Sequence, residues 1–191
     1  MIRDGRLLYH LTALENLESI LQHGLRPRCE LSNNEFNDVA DGEILDSRAT
    51  HSLDNFVPFH FFAKNPFDCG VQRTHSDKDF VLISVQRATA RANSWQIAPT
   101  HPLAEEGYQI LDYDAGFSAI DWVLMEERDY DDRACKVACM AECLSPTSVN
   151  PNLIFCIYVK EARVKAVVDR LVKSHNVTCY VDINSAMFVG E

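Results

Sequence analysis

The 191-residue sequence has no apolar run approaching the ~20 residues that span a bilayer, and its opening Met-Ile-Arg-Asp-Gly-Arg lacks the apolar stretch of a secretory signal. A cytoplasmic protein without membrane contact is the expectation. Glycine-rich phosphate loops are missing too, since neither GxGxxG nor GxxxxGK[ST] occurs. No CxxC pair accompanies Cys135, Cys139 and Cys143, and no histidine lies near enough in sequence to complete a zinc site, so no metal is expected. The seven cysteines, odd in number and irregularly spaced, read as reduced and mostly buried thiols. Positive charge is scarce: 18 Lys and Arg face 28 Asp and Glu, for a net charge of −10. Proteins that grip duplex DNA by its phosphates carry a broad positive face, so any nucleic-acid contact here must be local.

What is present is the balance of a globular domain, 47% hydrophobic and 24% charged. A chain of this length buries about 68–70% of the surface its unfolded form exposes, enough for a core without staples. One domain over residues 1–191 is expected. Leu7 to Thr12 reads as a strand, and Leu14, Leu17, Ile20 and Leu21 follow at helical spacing before the glycine stop at Gly24. Arg26 to Asn55 is polar without a period, long for an idle connection and suited to a binding loop. Phe56 to Phe62 is strand-like despite Pro58, and Phe80 to Val85 is a buried strand; between them lies a polar, basic stretch from Lys64 to Lys78. Ser118 to Glu127 has helical spacing. Near the end come a strand at Leu153 to Val159, an amphipathic helix at Glu161 to Ser174 and a strand at Thr178 to Ile183. Several strands follow one another too closely for helical crossovers, which predicts an α+β fold.

Glu142 stands alone in the apolar run from Ala138 to Leu144. A carboxylate there must be paired, face solvent, or sit in a working cleft. Arg48 and His51 lie in the long polar loop, where plain solvation is the bland alternative. His10, between Tyr9 and Leu11, reads equally well as a hydrogen-bonded core histidine.

These residues also form a larger pattern. Leu8-Tyr9-His10-Leu11-Thr12 with Asn16-Leu17, Ile20 and Gly24 resembles the opening of the DarT-type DNA ADP-ribosyltransferases, YHxT…NL…I…G. Val57-Pro58-Phe59-His60-Phe61 is close to that family's VPFYF strand, and Met140-Ala141-Glu142-Cys143-Leu144 to its AEFLV segment. Ile120-Asp121-Trp122 and the closing Val181 to Phe188 extend the match over nearly the whole chain.

The resemblance implies an ADP-ribosyltransferase fold, two facing mixed or antiparallel sheets with an NAD cleft between them. It implies NAD as co-substrate, Glu142 and Arg48 as catalytic residues, and His10, Leu11, Thr12, Asn16, Gly24 and Arg48 as cofactor-binding. His60, His101, Arg133 and Lys136 fall in the substrate-facing regions. The implied acceptor is a base of single-stranded nucleic acid, most readily DNA, and the implied role is a toxin with a macrodomain-type antitoxin as partner. An unstacked base calls for aromatic contacts and a few cations, which an acidic chain can supply. The chain departs from the family's FYFxPRSPMLY: His60 replaces the tyrosine, and the arginine that follows is absent. RNA or protein as acceptor, or a silent binding module of the same fold, remain the alternatives.

Overall fold

The computed structural model describes residues 1–31, 53–101 and 108–190. Eight described strands form one continuous sheet in the order β5-β4-β6-β2-β1-β3-β7-β8, antiparallel except for the parallel pair β7 and β8. They are β1 (Leu7–Ala13), β2 (Val57–His60), β3 (Phe80–Gln86), β4 (Gln96–Ala98), β5 (Leu111–Asp112), β6 (Glu142–Ser145), β7 (Cys156–Val159) and β8 (Tyr180–Ile183). The helices are α1 (Leu17–His23), α2 (Pro66–Thr74), α3 (Arg87–Ala92), α4 (Tyr113–Ala119), α5 (Trp122–Glu127), α6 (Arg133–Cys139) and α7 (Ala162–Ser174). The α+β class expected from the strand spacing is what the chain adopts.

The resemblance implied two facing sheets, and the strand order falls into two halves that are hydrogen-bonded to each other. Two four-stranded halves are joined edge to edge, and the join is a single register pair, Tyr9 with His60. By contrast β1 and β3 share seven pairs, from Leu7–Gln86 to Ala13–Phe80. The reason for the weak join lies in Pro58. Its carbonyl points toward β1, where the His10 ring meets it at 2.8 Å, and proline has no N–H with which to continue the ladder on that side. The sheet therefore opens between β1 and β2 just beyond Tyr9.

Each face of the sheet carries its own core. The larger one collects Leu8, Phe59, Ile83, Val85 and Ile157 with Leu17 of α1, Met125 of α5, Cys139 of α6 and Val168 of α7. The smaller one, on the other face, holds Leu11, Phe80 and Leu82 beneath Val71 of α2 and Phe188. Two helices differ from the sequence pattern for local reasons. The polar stretch after Lys64 contains α2, started by the Asn65 side chain accepting the Asp68 backbone N–H at 2.9 Å, with Pro66 in the first turn. The single helix read over Ser118 to Glu127 is two, because the Asp121 carboxylate accepts the N–H groups of Val123 and Leu124 and begins a new one.

Candidate active site

Glu142 is the first residue of β6, only 5% exposed, and its register partners are His60 on one side and Ala98 on the other. Register partners project to the same face of a sheet, so Glu142, His60 and Tyr9 form a row across β6, β2 and β1 that crosses from one half of the sheet to the other beside the opening. The buried His60 ring donates from Nδ1 to the Ala141 carbonyl at 3.3 Å and lies 5.8 Å from the Phe67 ring of α2. Because a carbonyl only accepts, this contact places a proton on Nδ1. His60, expected on the substrate side, is thus the immediate neighbour of Glu142.

The opposite lip of the opening comes from β1 and the start of α1. His10 follows Tyr9 and projects to the other side of the strand, its Nδ1 donating to Pro58 O and its ring 5.6 Å from Phe59. Both alternatives read for His10, a hydrogen-bonded core residue and a site residue, are compatible with that position. Thr12 and Asn16, both buried, are linked by the Asn16 Nδ2 donating to Thr12 Oγ1 at 3.2 Å. A hydroxyl, an amide and an imidazole therefore sit together at the strand-to-helix junction, a donor and acceptor set that fits the amide and ribose groups of a dinucleotide. Leu11, between them, is buried in the smaller core.

Other expected site residues lie farther out. Gly24 has a structural duty: it ends α1 at φ +86°, and a Cβ there would stand 2.9 Å from the Val149 carbonyl oxygen. His101 is buried three residues beyond Ala98, the ladder partner of Glu142. Arg133 and Lys136 are exposed on α6, the helix that leads into Glu142, while Cys135 and Cys139 anchor its inner face by donating to the Leu124 and Met125 carbonyls. Burial pushes the Cys139 thiol up to about 12, so it stays protonated. Arg48 and His51 lie outside the described residues. Among the described residues no cluster of three potential metal ligands occurs. Nor is any described helix long and apolar enough to cross a membrane.

The burial of two ionisable side chains is not legible in the sequence. Asp68, 1% exposed in the first turn of α2, has both carboxyl oxygens buried without a hydrogen-bond partner. Burial raises its pKa to about 7, offset in part by the nearby Asn65 side chain and Lys64 backbone, neither of which reaches hydrogen-bond geometry. Arg87, at the start of α3, donates to the carbonyls of Leu7, Arg3, Ile2 and Phe61 at 2.9–3.1 Å and lies over the Phe61 ring. It ties the entry of β1 to the exit of β2 and so fixes the frame of the opening. Only a planar fork of donors can serve four carbonyls at once.

A family model described as ssDNA thymidine ADP-ribosyltransferase, DarT, matches residues 9–189. The chain is 25% identical over 189 residues to a DNA ADP-ribosyl transferase-DNA ADP-ribosyl glycohydrolase fusion protein of Thermosipho africanus (strain H17ap60334). That match takes in 93% of this chain and 48% of the fusion protein, so the chain spans about half the length of this curated relative. Among solved structures, Thermus sp. 2.9 DarT in complex with ADP-ribosylated ssDNA superposes with a TM-score of 0.83 at 16% identity, covering 96% of each chain. The same protein in complex with NAD+ gives 0.79 at 15% identity over 97% of this chain and 98% of that one. Thermosipho africanus DarTG in complex with ADP-ribose gives 0.76 at 24% identity over 96% of this chain and 51% of that one. The likeness of fold extends over almost every described element, and the match to the family model runs from the first strand to the closing aromatic segment. This chain belongs to the DarT family.

Proposed function

We propose that this protein is an NAD-dependent ADP-ribosyltransferase, acting as a single domain in the cytoplasm, with single-stranded DNA as its acceptor and thymidine, named in the family description, as the modified nucleoside. The observation that carries the reading is the place of Glu142: a buried carboxylate at the start of β6, register partner of His60, which in turn forms the join of the two halves with Tyr9. A buried carboxylate acts on positive charge developing beside it more strongly than one in water does.

NAD supplies the ADP-ribosyl group, and cleavage of its bond to nicotinamide passes through a cationic, oxocarbenium-like ribose. Glu142 lowers the energy of that charge, an effect of the kind that is worth 10²–10³ in rate at comparable sites. His10, Thr12 and Asn16 bind and orient the dinucleotide from the β1 lip. His60 positions Glu142 from the neighbouring strand and, through Phe67, links it to α2. Arg48 is assigned to the pyrophosphate or ribose, and to drawing the proton from the acceptor nitrogen, on the family pattern alone. An arginine is a poor base with a pKa above 12, so orientation is its primary role in this scheme. His101, Arg133 and Lys136 are assigned to the acceptor side, flanking the approach to Glu142.

A partner follows from the same reading. The Thermosipho relative carries a DNA ADP-ribosyl glycohydrolase in the same chain, and we assign this protein a separate or fused macrodomain-type hydrolase that removes the modification. Incubation with labelled NAD and separate pools of single-stranded DNA, RNA and protein tests the acceptor. Label is expected in the DNA pool; label only in RNA or protein overturns the DNA assignment, and label in none overturns the transferase reading.

A further inference from the structure

Three cations converge on one cavity of about 760 Å³ at the far end of β1 from α1: Lys64, Arg73 and Arg128. Four other cations are held by carboxylates, Lys78 by Glu15, Arg91 by Asp114, Arg163 by Asp79 and Glu161, and Lys165 by Asp169; what sets this group apart is that its three cations share one cavity. Lys64, Arg73 and Arg128 have no ion-pair partner among the described residues, and all three are exposed. Glu126, the one carboxylate lining the cavity among the described residues, accepts from the Ile2 backbone N–H. In a chain of net charge −10 such a gathering needs an anion to explain it.

The backbone points the same way. Among described non-glycine residues only Lys64, Ser94, Arg128 and Asn176 have positive φ, and two of the four line this cavity, at 61° and 52°. Such conformations are unfavourable for residues with a Cβ and persist where the surroundings enforce them, often at ligand sites. Here the enforcement is direct. The Tyr130 hydroxyl donates to the Lys64 carbonyl at 2.7 Å, and the Arg128 guanidinium lies 4.9 Å from the centre of the Phe62 ring. The ring holds the flat face of Arg128 and leaves its N–H edge for a planar or tetrahedral anion.

The cavity also adjoins the candidate active site. Phe61 to Lys64 continue from His60 at the end of β2, and the link carrying Arg128 and Tyr130 runs through α6 to Glu142. Tyr9, in the cavity wall, is the register partner of His60. With strands about 4.8 Å apart, Tyr9 and Glu142 are about 10 Å apart across the sheet.

We propose that this cavity binds the phosphodiester backbone of the single-stranded DNA acceptor, next to the nucleotide presented to Glu142. The proposal rests on the reading of single-stranded DNA as acceptor. It explains how an acidic protein holds a polyanion: the contact is confined to three cations, two of them on positive-φ backbone and one of these lying over an aromatic ring, while the net charge of the chain repels elsewhere.

The test uses fluorescence anisotropy of a labelled oligothymidylate with wild type, Arg73→Gln, Arg128→Gln and the double variant, and calorimetry of NAD binding on the same samples. Each neutralised cation should flatten the slope of log affinity against log salt by about 0.7, so the double variant should lose about 1.4, with at least about tenfold weaker DNA binding at low salt. NAD affinity should stay within twofold. Both side chains are exposed, and Arg73→Gln on α2 disturbs neither strained residue, so it keeps the test decisive if Arg128→Gln fails to fold. If wild type binds DNA and the variants match it in affinity and slope, the cavity is not the site. If NAD affinity falls as far as DNA affinity, the cations serve the dinucleotide and the proposal is overturned. If wild type binds no single-stranded DNA at all, the acceptor reading falls and the cavity assignment falls with it.

Discussion

Replacing Asp68 with asparagine should change how stability depends on pH. The carboxyl group is fully enclosed, its two oxygens lack hydrogen-bond partners, and burial raises its pKa from 3.8 to about 7. A raised carboxyl pKa means that the folded state keeps a proton the unfolded chain has released. Stability from this group is full below about pH 4, declines as pH rises toward 7, and is flat above that. A gap of roughly three units corresponds to roughly 4 kcal/mol at 1.36 kcal/mol each, an upper figure that relaxation around α2 reduces to roughly 2–4 kcal/mol. For a chain of this size that is a difference in Tm of roughly 5–15 °C. Asp68→Asn keeps the volume and removes the titration, so melting curves of wild type and variant from pH 4 to 8 should separate progressively, with the variant gaining on wild type as pH rises. A Tm difference that stays constant over that range would show that Asp68 does not titrate in the fold and would refute the reasoning. Since α2 presses Phe67 against His60, the same titration should loosen one wall of the candidate site above neutral pH.

Two further substitutions probe the frame of the opening. Gly24→Ala should lower stability by about 2–4 kcal/mol, from the positive φ and from a Cβ 2.9 Å from Val149 O, while NAD affinity of the folded fraction is unchanged; a direct cofactor contact at Gly24 would appear instead as weakened NAD binding in calorimetry. Arg87→Met should cost more than about 3 kcal/mol in denaturant melts, because four backbone carbonyls lose their donor together, and Arg87→Lys should rescue little since one ammonium cannot reach all four.

How far the sequence reveals this molecule depends on whether the signal is local. Glu142 is legible because an isolated carboxylate in an apolar run has few allowed fates, and the YHxT…NL opening marks the lip of the cleft with contiguous residues. The row of Glu142, His60 and Tyr9 is not legible, since strand register depends on which segments pair across gaps of 51 residues, from Tyr9 to His60, and 82, from His60 to Glu142. Pro58 was visible as an interruption of β2; that its missing N–H faces β1, and so opens the sheet between two halves that remain one sheet, is a tertiary fact. The start of α2 was written in Asn65 and Pro66, yet its polar composition hid the helix. Asp68 and Arg87 were hidden more deeply. A charged residue in sequence gives no sign of enclosure, and their burial arises from what folds over them. The cavity of Lys64, Arg73 and Arg128 likewise gathers residues from three separate segments.

The central claim, that Glu142 acts on charge developing at the ribose of NAD, is tested most directly by Glu142→Gln, with transfer rate to single-stranded DNA and melting temperature measured on the same sample. The substitution keeps the volume and most hydrogen bonding and removes the negative charge. The account predicts a transfer rate lower by about 10²–10³, NAD affinity changed far less, and a Tm close to wild type. A Tm lowered in step with a loss of roughly 3–5 kcal/mol of stability, with near-normal transfer at low temperature, is the behaviour of a structural charge whose pairing has been broken, and would contradict the account.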